Sequence, residues 1–577
     1  MSDKSPINKK GCLSMHGKTA ALVFILLVCS LYPASMHACT NVIVGKDASA
    51  DGSVFCTYSC DSYGLFYGLP IYLSEKHHRG EMRNLVSSYS RIPRGSIPVT
   101  EEAEVDAQGN MRTYHVVGNI NEWQVSIGES TFNVDSCLID TTAMLDHSLL
   151  MVLALQRAKT ARQAIRIITN LVEKYGFRSQ GESFSVCDPN EAWLLEMVSQ
   201  GPGSGKAVWV ALRIPDNAIC AHANESRIRQ FNMKDKQNVM YHKDVIKFAR
   251  KIGRFSGKDN EFSFRDAYNP PKFSGRRACD ARVWSFFNRF CKGMDKYLPY
   301  VSGIEETWEE ELPVWVVPDR KLTLQDIQAT MRDHYEGTVF EHGEDITRGL
   351  TNSPYPQGIA FAYGGKRYFN ERYISSPQSA FSWICQMRAY KPREIGGIIW
   401  FGNDDGNMVA QTPVYCCATD VPPCYDIKGA DDVTFSMDNA FWVCNWVSNM
   451  VYPRYNVLFP ELKAVRDSLD SSYAAAMPAI EAKAEELLKT NRDAAIRFLS
   501  DYSVEKAQQM IDRWRRLAFF LIVKYNDMAE KPEVNGVFTR NQYGRGAKVK
   551  RLSYPTSVKR IIAEQTGERY MRPAAKK

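Results

Sequence analysis

The feature that most constrains this chain is a junction near its start. Lys4, Lys9, Lys10 and Lys18 make the beginning positive, Ala20 to Leu31 is a short apolar run, and Ala34 to Ala38 supplies mostly small residues before Cys39. A basic start, an apolar stretch too short to be a convincing spanning helix and a small-residue segment are the layout of a secretory leader rather than of fold. The sequence therefore predicts a leader over residues 1–38 and a protein that folds from Cys39 onward after export, in a periplasmic or extracellular, cell-surface location. No later segment is apolar for long enough to cross a membrane, and Phe519–Val523, bracketed by Arg515, Arg516 and Lys524, reads as one side of a soluble helix.

Cleavage after Ala38 would leave Cys39 with a thiol and a free α-amino group on one residue. Their ordinary pKa values, about 8.5 and about 7.7–8.0, let the amine take the thiol proton near neutral pH without a partner histidine. Nucleophile and base then coincide, and anything left on the amine abolishes the arrangement. Position alone also admits a lipid-attachment cysteine of a bacterial lipoprotein. Met36-His37-Ala38 lacks the Leu-Ala-Gly/Ala pattern of such sites, although Met36 is equally foreign to signal peptidase.

Other chemistries lack their motifs. The chain has no His-Glu-x-x-His, no Gly-x-Ser-x-Gly elbow and no Gly-x-x-x-x-Gly-Lys phosphate loop. A formal charge of +7 over 577 residues, without a nucleic-acid-binding signature, excludes nucleic acid as a partner. Of fifteen cysteines, Cys12 and Cys29 fall in the leader, and the spacing of the rest, such as Cys56 with Cys60 and Cys416 with Cys417, fits no zinc pattern. Most read as small buried hydrophobes, and their pairing is left open. His77-His78 reads as part of a basic turn, and Asp404-Asp405-Gly406-Asn407 as a hairpin turn, since the closing Glu of a calcium loop is missing. No metal or organic cofactor is expected.

Apolar runs alternate with turn signals from Cys39 onward. Asn41–Val44 and Ser53–Tyr58 flank a Lys46–Gly52 turn, Ser183–Val186 and Ala192–Met197 flank Asp188-Pro189-Asn190, and Val208–Ile214 and Ala218–Ala223 flank Pro215-Asp216-Asn217, each read as a hairpin. Gly396–Phe401 reads as a strand buried on both faces. Thr160 caps a helix with apolar positions Ala161, Ala164, Ile165, Ile168, Val172 and Tyr175, stopped by Gly176. From Pro460 to Met528 the chain turns rich in Ala, Glu, Lys and Arg, with Ala507, Met510, Trp514, Leu517 and Leu521 at helical spacing. Periodicity alone gives an α+β or layered α/β architecture.

The residues that follow the junction are more specific. Cys39-Thr40-Asn41-Val42-Ile43-Val44-Gly45-Lys46-Asp47-Ala48-Ser49-Ala50-Asp51-Gly52-Ser53 strongly resembles the start of the dipeptidase A family, cysteine peptidases of the N-terminal nucleophile (Ntn) hydrolase group. Asp61 matches the Asp of that family's next strand. Asn121-Glu122 with Ile127-Gly128-Glu129-Ser130, Asn190-Glu191-Ala192-Trp193, Arg213-Ile214-Pro215-Asp216 with Ala223-Asn224-Glu225-Ser226-Arg227-Ile228, His334-Tyr335-Glu336-Gly337-Thr338 and Gly396-Gly397-Ile398-Ile399-Trp400-Phe401-Gly402 are similar to further family segments in the same order. The resemblance runs from Cys39 to about Tyr455.

The resemblance implies an Ntn-hydrolase four-layer αββα sandwich with a helical C-terminal extension: leader 1–38, peptidase domain 39–459, helical extension 460–530 and basic tail 531–577. It implies small peptide substrates, with Cys39 as nucleophile and base, Asp61 holding the N-terminal amine, Asn224 donating to the oxyanion and Asn121 contributing nearby. Glu129 would receive the amino group of a dipeptide and Arg282 would supply positive charge, against the plainer readings of a structural carboxylate and a helix-face ion pair. Subunit number stays open, a homo-oligomer included. One departure stands out: many relatives carry Arg three residues before the matching Asp, where this chain has Tyr58. Two rivals follow, an N-acyl amide hydrolase like the penicillin and bile-salt amidases, and an inactive surface lipoprotein acylated at Cys39.

Overall fold

The computed structural model describes residues 38–87, 91–304, 308–343, 346–355 and 360–573. The expected leader lies outside the described residues apart from Ala38, which opens the first strand. The apolar runs around the junction form an antiparallel pair, β1 (Ala38–Val44) and β2 (Val54–Asp61), with Cys39 opposite Cys60 and Val44 opposite Phe55.

In chain order there follow β3 (Ile71–Tyr72), β4 (Val116–Val117), β5 (Ile120–Asn121), β6 (Ser126–Phe132), β7 (Gly181–Cys187), β8 (Ala192–Ser199), β9 (Ala207–Ile214), β10 (Ile219–His222), β11 (Val239–Tyr241), β12 (Trp315–Val316), β13 (Ser379–Met387), β14 (Gly397–Asn403) and β15 (Thr412–Tyr415). They build two antiparallel sheets. The first has the order β12-β10-β1-β2-β13-β14-β15 and the second β11-β9-β8-β7-β6-β5-β4-β3. β1 is thus an interior strand, hydrogen-bonded to β10 on one side and to β2 on the other.

The sheets meet through polar contacts as well as apolar ones. His222 on β10 reaches across to Ser130 Oγ on β6 (2.6 Å) and Ser185 Oγ on β7 (2.7 Å). The Asn41 side-chain amide on β1 donates to the Glu129 carbonyl on β6. Gly128 permits that approach: a Cβ there would sit 2.3 Å from Asn41 Oδ1 and 3.1 Å from the Thr57 carbonyl oxygen.

Helices cover the sheets. On the second lie α1 (His147–Leu155) and α2 (Ala161–Tyr175), with Leu150, Ile165, Ile168 and Leu171 sharing one buried cluster with Phe184, Val186, Trp193 and Leu195. Thr160 Oγ1 accepts from the Gln163 amide at 3.2 Å and Gly176 ends α2 at φ 76°, a left-handed value that glycine adopts at little cost. Against the first sheet pack α3 (Ala281–Phe290), α4 (Ala440–Val451), α5 (Tyr455–Leu488) and α6 (Arg492–Tyr525). Ala507, Met510, Trp514, Leu517 and Leu521 form the buried stripe of α6, where the Trp514 indole N–H donates to the Met408 carbonyl at 3.2 Å. A buried Arg388–Glu481 ion pair (2.5 Å) ties the end of β13 to α5. Position 460 lies inside α5, so no linker separates the sheets from the helical region there.

One expected hairpin is not a hairpin. Pro215-Asp216-Asn217 does connect two strands, but β9 belongs to the second sheet and β10 to the first. The turn carries the chain between sheets and docks on the β1–β2 connection, where the Asp47 amide donates to the Asp216 carbonyl (2.8 Å) and the Gly45 amide to the Ala218 carbonyl (3.0 Å). The thirteen cysteines among the described residues are free thiols, and of these Cys137 is exposed and Cys291 partly so, the rest being buried. Among the described residues no helix is long and apolar enough to cross a membrane.

Candidate active site

Cys39 is the second residue of β1 and is 1% exposed. Both of its backbone polar atoms are held by side chains from elsewhere. Its nitrogen donates to Asn224 Oδ1 at 2.8 Å, and its carbonyl oxygen accepts from Arg282 Nη1 at 2.9 Å. Arg282 comes from α3 and is fully buried; it also donates to Thr40 Oγ1 (2.8 Å), the Ala223 carbonyl (3.0 Å) and Asn224 Oδ1 (3.0 Å). Asn224 sits just beyond β10 at φ 63°. Asn is one of the few residues that enter the left-handed region readily, and there its Nδ2 donates to the Thr131 carbonyl at 2.7 Å. Arg282 is therefore a buried brace of the Cys39 backbone, not a helix-face ion pair.

On the thiol side the neighbours are acidic. Cys39 Sγ lies 3.7 Å from the Tyr58 hydroxyl and 3.9 Å from Glu129 Oε1, and the Tyr58 hydroxyl donates to that same oxygen. The Tyr58 ring is fixed edge-on against Phe381 and Trp383, with centroids 5.4 and 5.8 Å away. His147, at the start of α1, places Nε2 3.9 Å from Glu129 and Nδ1 3.4 Å from Glu182. Burial first, then the Cys60 thiol and the Glu129 carboxylate, push the Cys39 thiol well above its ordinary value. Tyr58 thus sets a hydroxyl, not a cation, beside the thiol and its neighbour.

Asp61 is buried at the end of β2, opposite Ala38 in register, and accepts from Ser379 Oγ at 2.6 Å. Burial raises its carboxyl to about 7 against the pull of Ser379, Arg372 and Arg282. With Ala38 still attached, the Cys39 nitrogen donates to Asn224 Oδ1. Asn121 is in a different situation from the one expected of it. Both its amide hydrogens go to carbonyls, of Leu155 and Ala158 (2.7 Å each), and its Oδ1 accepts from the Trp123 and Val125 amides (2.9 Å each). An amide nitrogen has two hydrogens, so Asn121 has none to give an oxyanion; it is the organiser of the β5–β6 turn.

The residues not foreseen are Glu182, His147 and Ser379. Glu182 carried no signal of its own, because the burial of every residue in its strand shows only in the fold. His147 and Ser379 carried none. Among the described residues no group of three or more His, Cys, Asp or Glu side chains is arranged to hold a metal ion.

Comparison with known proteins gives this geometry a context. The model of Peptidase_C69, peptidase family C69, matches residues 38–467. A "Probable dipeptidase" of Latilactobacillus sakei is 24% identical over 78% of this chain and 89% of its own length. A "Probable dipeptidase" of Salmonella dublin is 27% identical over 66% of this chain and 81% of its own. A "Dipeptidase" of Bifidobacterium longum is 25% identical over 70% and 75%.

Proposed function

The chain belongs to peptidase family C69, a family of cysteine peptidases, and from that premise we propose that it is an exported dipeptidase whose nucleophile is Cys39, working as the first residue of the mature protein. The observation that carries the reading is the grip on that residue: Asn224 on its nitrogen and Arg282 on its carbonyl oxygen, inside a buried site. The two facing sheets between helices support an Ntn-hydrolase sandwich as its fold.

In this mechanism the peptide bond between Ala38 and Cys39 is cut, which exposes the α-amine. That bond lies within β1, so cutting precedes closure of the strand or is done by the chain itself. The amine takes the thiol proton as sulfur attacks the carbonyl carbon of the substrate, and passes it to the leaving amine as the C–N bond breaks, leaving a thioester. Water, deprotonated by the same amine, then adds to the thioester and releases the acid. Asn224 Oδ1 orients the amine. Its Nδ2 is the donor assigned to the oxyanion, a contribution of about 10²–10³ in rate. Asp61 lies at the register position of Ala38 and becomes a partner of the new ammonium.

The burial of Cys39 speaks against a lipid-modified thiol, because a diacylglyceryl chain on Sγ has no room at 1% exposure. The test is to recover the exported protein, read its N-terminus by intact mass, and assay dipeptide hydrolysis with Cys39→Ala and Cys39→Ser as controls. A mature start at Cys39 with cysteine-dependent hydrolysis is expected. An acylated Cys39, or full activity in Cys39→Ala, overturns the proposal.

A further inference from the structure

We infer that Cys60 is the resolving thiol of Cys39: a hydroperoxide entering the site joins the two sulfurs in a reversible disulfide across β1 and β2, which silences the enzyme and spares Cys39 from irreversible oxidation. The inference adds an oxidative modification site to the reading of Cys39 as nucleophile, and its effect on activity rests on that reading.

Register sets the pair up. Cys39 lies directly opposite Cys60, in an unbroken run of pairings from Ala38 with Asp61 to Val44 with Phe55. Successive side chains of a strand point to opposite faces, so Cys60 shares a face of β2 with Tyr58. The Tyr58 hydroxyl is 3.7 Å from Cys39 Sγ, which puts both sulfurs on that same face.

Hydrogen bonding sets the separation. The Cys39 nitrogen and carbonyl oxygen are engaged by Asn224 and Arg282, on the β10 side and away from β2. Cys39 and Cys60 are thus a non-hydrogen-bonded pair, the narrow kind, with Cα atoms about 4.5 Å apart. A disulfide takes Cα atoms about 4.4–6.8 Å apart, so the bond is within reach of the strands as they stand. Phe381 of β13 faces Cys60 from its other side, and the two cysteines are 1% and 4% exposed. After burial, side-chain contact with Cys60 does most to raise the Cys39 thiol.

The chemistry balances with a hydroperoxide as oxidant. The Cys39 sulfur, its proton passed to the α-amine, attacks one peroxide oxygen; the O–O bond breaks, an alcohol or water leaves with that proton, and a sulfenic acid remains. The Cys60 sulfur then displaces the hydroxyl from Cys39. The S–S bond forms, and the Cys60 proton departs with the hydroxyl as water. Two thiols are oxidised by two electrons and one peroxide is reduced. Without a thiol opposite, the sulfenic acid is open to a second peroxide and goes on to sulfinic acid, which dithiols do not reduce. The proposed export takes the protein out of the reducing cytosol, where such a partner matters most.

The experiment treats the mature protein with hydrogen peroxide, alkylates remaining thiols with iodoacetamide in denaturant, and maps peptides by mass spectrometry without reduction. Dipeptide hydrolysis is read before oxidation, after it, and after dithiothreitol, each as a fraction of the starting rate. A Cys39–Cys60 cross-link is expected, and the fraction of lost activity regained should exceed that of Cys60→Ser at least about fivefold, since the variant ends as sulfinic acid. Cys56 and Cys385 also stand opposite each other, between β2 and β13, both 0% exposed, and are the internal control. A parent Cys39 that stays a thiol or becomes a sulfinic acid, a cross-link at Cys56–Cys385 instead, or equal recovery in Cys60→Ser overturns the inference. The map on the parent decides the matter even if Cys60→Ser fails to fold. A Cys39–Cys60 cross-link in a protein that never cut dipeptides would sustain the pair and defeat the peptidase mechanism, so the two failures are distinguishable.

Discussion

Arg282 and Cys39 are joined through the backbone: the guanidinium donates to the Cys39 carbonyl oxygen at 2.9 Å while its other terminal nitrogen holds Asn224 Oδ1 at 3.0 Å. One planar cation thereby fixes both Cys39 and the amide that grips its nitrogen. Lysine keeps the charge but cannot make this fork. Arg282→Lys is expected to lower kcat about 100-fold, the scale of two charge-assisted bonds at about 1.5 kcal/mol each, with dipeptide KM changed less than about threefold. Steady-state kinetics separate the two parameters. A rise in KM at constant kcat would show that Arg282 binds substrate instead of bracing Cys39.

Tyr58→Phe keeps the ring that packs against Phe381 and Trp383 and removes only the hydroxyl. That hydroxyl shares the Glu129 charge by donating to it. Without it the carboxylate faces the thiol undamped, which disfavours the thiolate. The pH midpoint for alkylation of Cys39 by iodoacetamide is expected to move upward, with slower labelling at pH 7. A midpoint that stays in place or falls would contradict the coupling of Tyr58 to the thiol.

Gly128→Ala tests the closeness of the sheets. The added methyl meets Asn41 Oδ1 at 2.3 Å, and neither strand can retreat without opening the interface. A loss of about 1–3 kcal/mol is expected from overpacking, read as a lower urea midpoint. Because Glu129 is the next residue, activity should fall further than stability alone accounts for. An unchanged midpoint would mean that the sheets are not in this contact.

Asp404 supplies a pH signature away from Cys39. It is buried at φ 70°, its Oδ2 has no partner, and burial raises its carboxyl to about 7. The folded state then holds the proton more tightly than the unfolded one. Its stabilising share is complete below the ordinary value near 3.8 and is lost as pH rises toward 7. Asp404→Asn should match the parent at pH 4 and exceed it at pH 8, by at most about 4 kcal/mol at roughly 1.4 kcal/mol per pH unit. Urea unfolding at both pH values measures this. A gap independent of pH would put the source elsewhere.

Several elements were legible because one local rule decided them. Thr160 and Gly176 bracket α2 by cap chemistry, the Asp188-Pro189-Asn190 turn joins β7 to β8, and the near-continuous apolar run of β14 is buried on both faces. The β9–β10 connection was misread for a physical reason: a turn and two strands look alike in sequence whether the strands pair or part into different sheets, and only long-range packing chooses. Asn121 shows the same limit in the site. Its residue type fits an oxyanion donor, but where its hydrogens go is set by the carbonyls of Leu155 and Ala158, more than thirty residues away. The acid pair beside Cys39 was not legible, since Glu182 meets Glu129 only after β6 and β7 come into register.

The family match stops at residue 467, partway along a helix that runs from Tyr455 to Leu488. Arg466, on the last turn before that point, is buried and donates to the Asn407 carbonyl and side chain, and further along the same rod Glu481 pairs with Arg388. What looks like an appendix by ancestry is mortared into the wall by chemistry. A protein shortened to the matched span would lose the second half of one girder and all of its neighbour α6, Trp514 and its stripe included, and would uncover the face of β15 on which α6 packs, so such a fragment should precipitate or be degraded instead of surviving as a minimal enzyme.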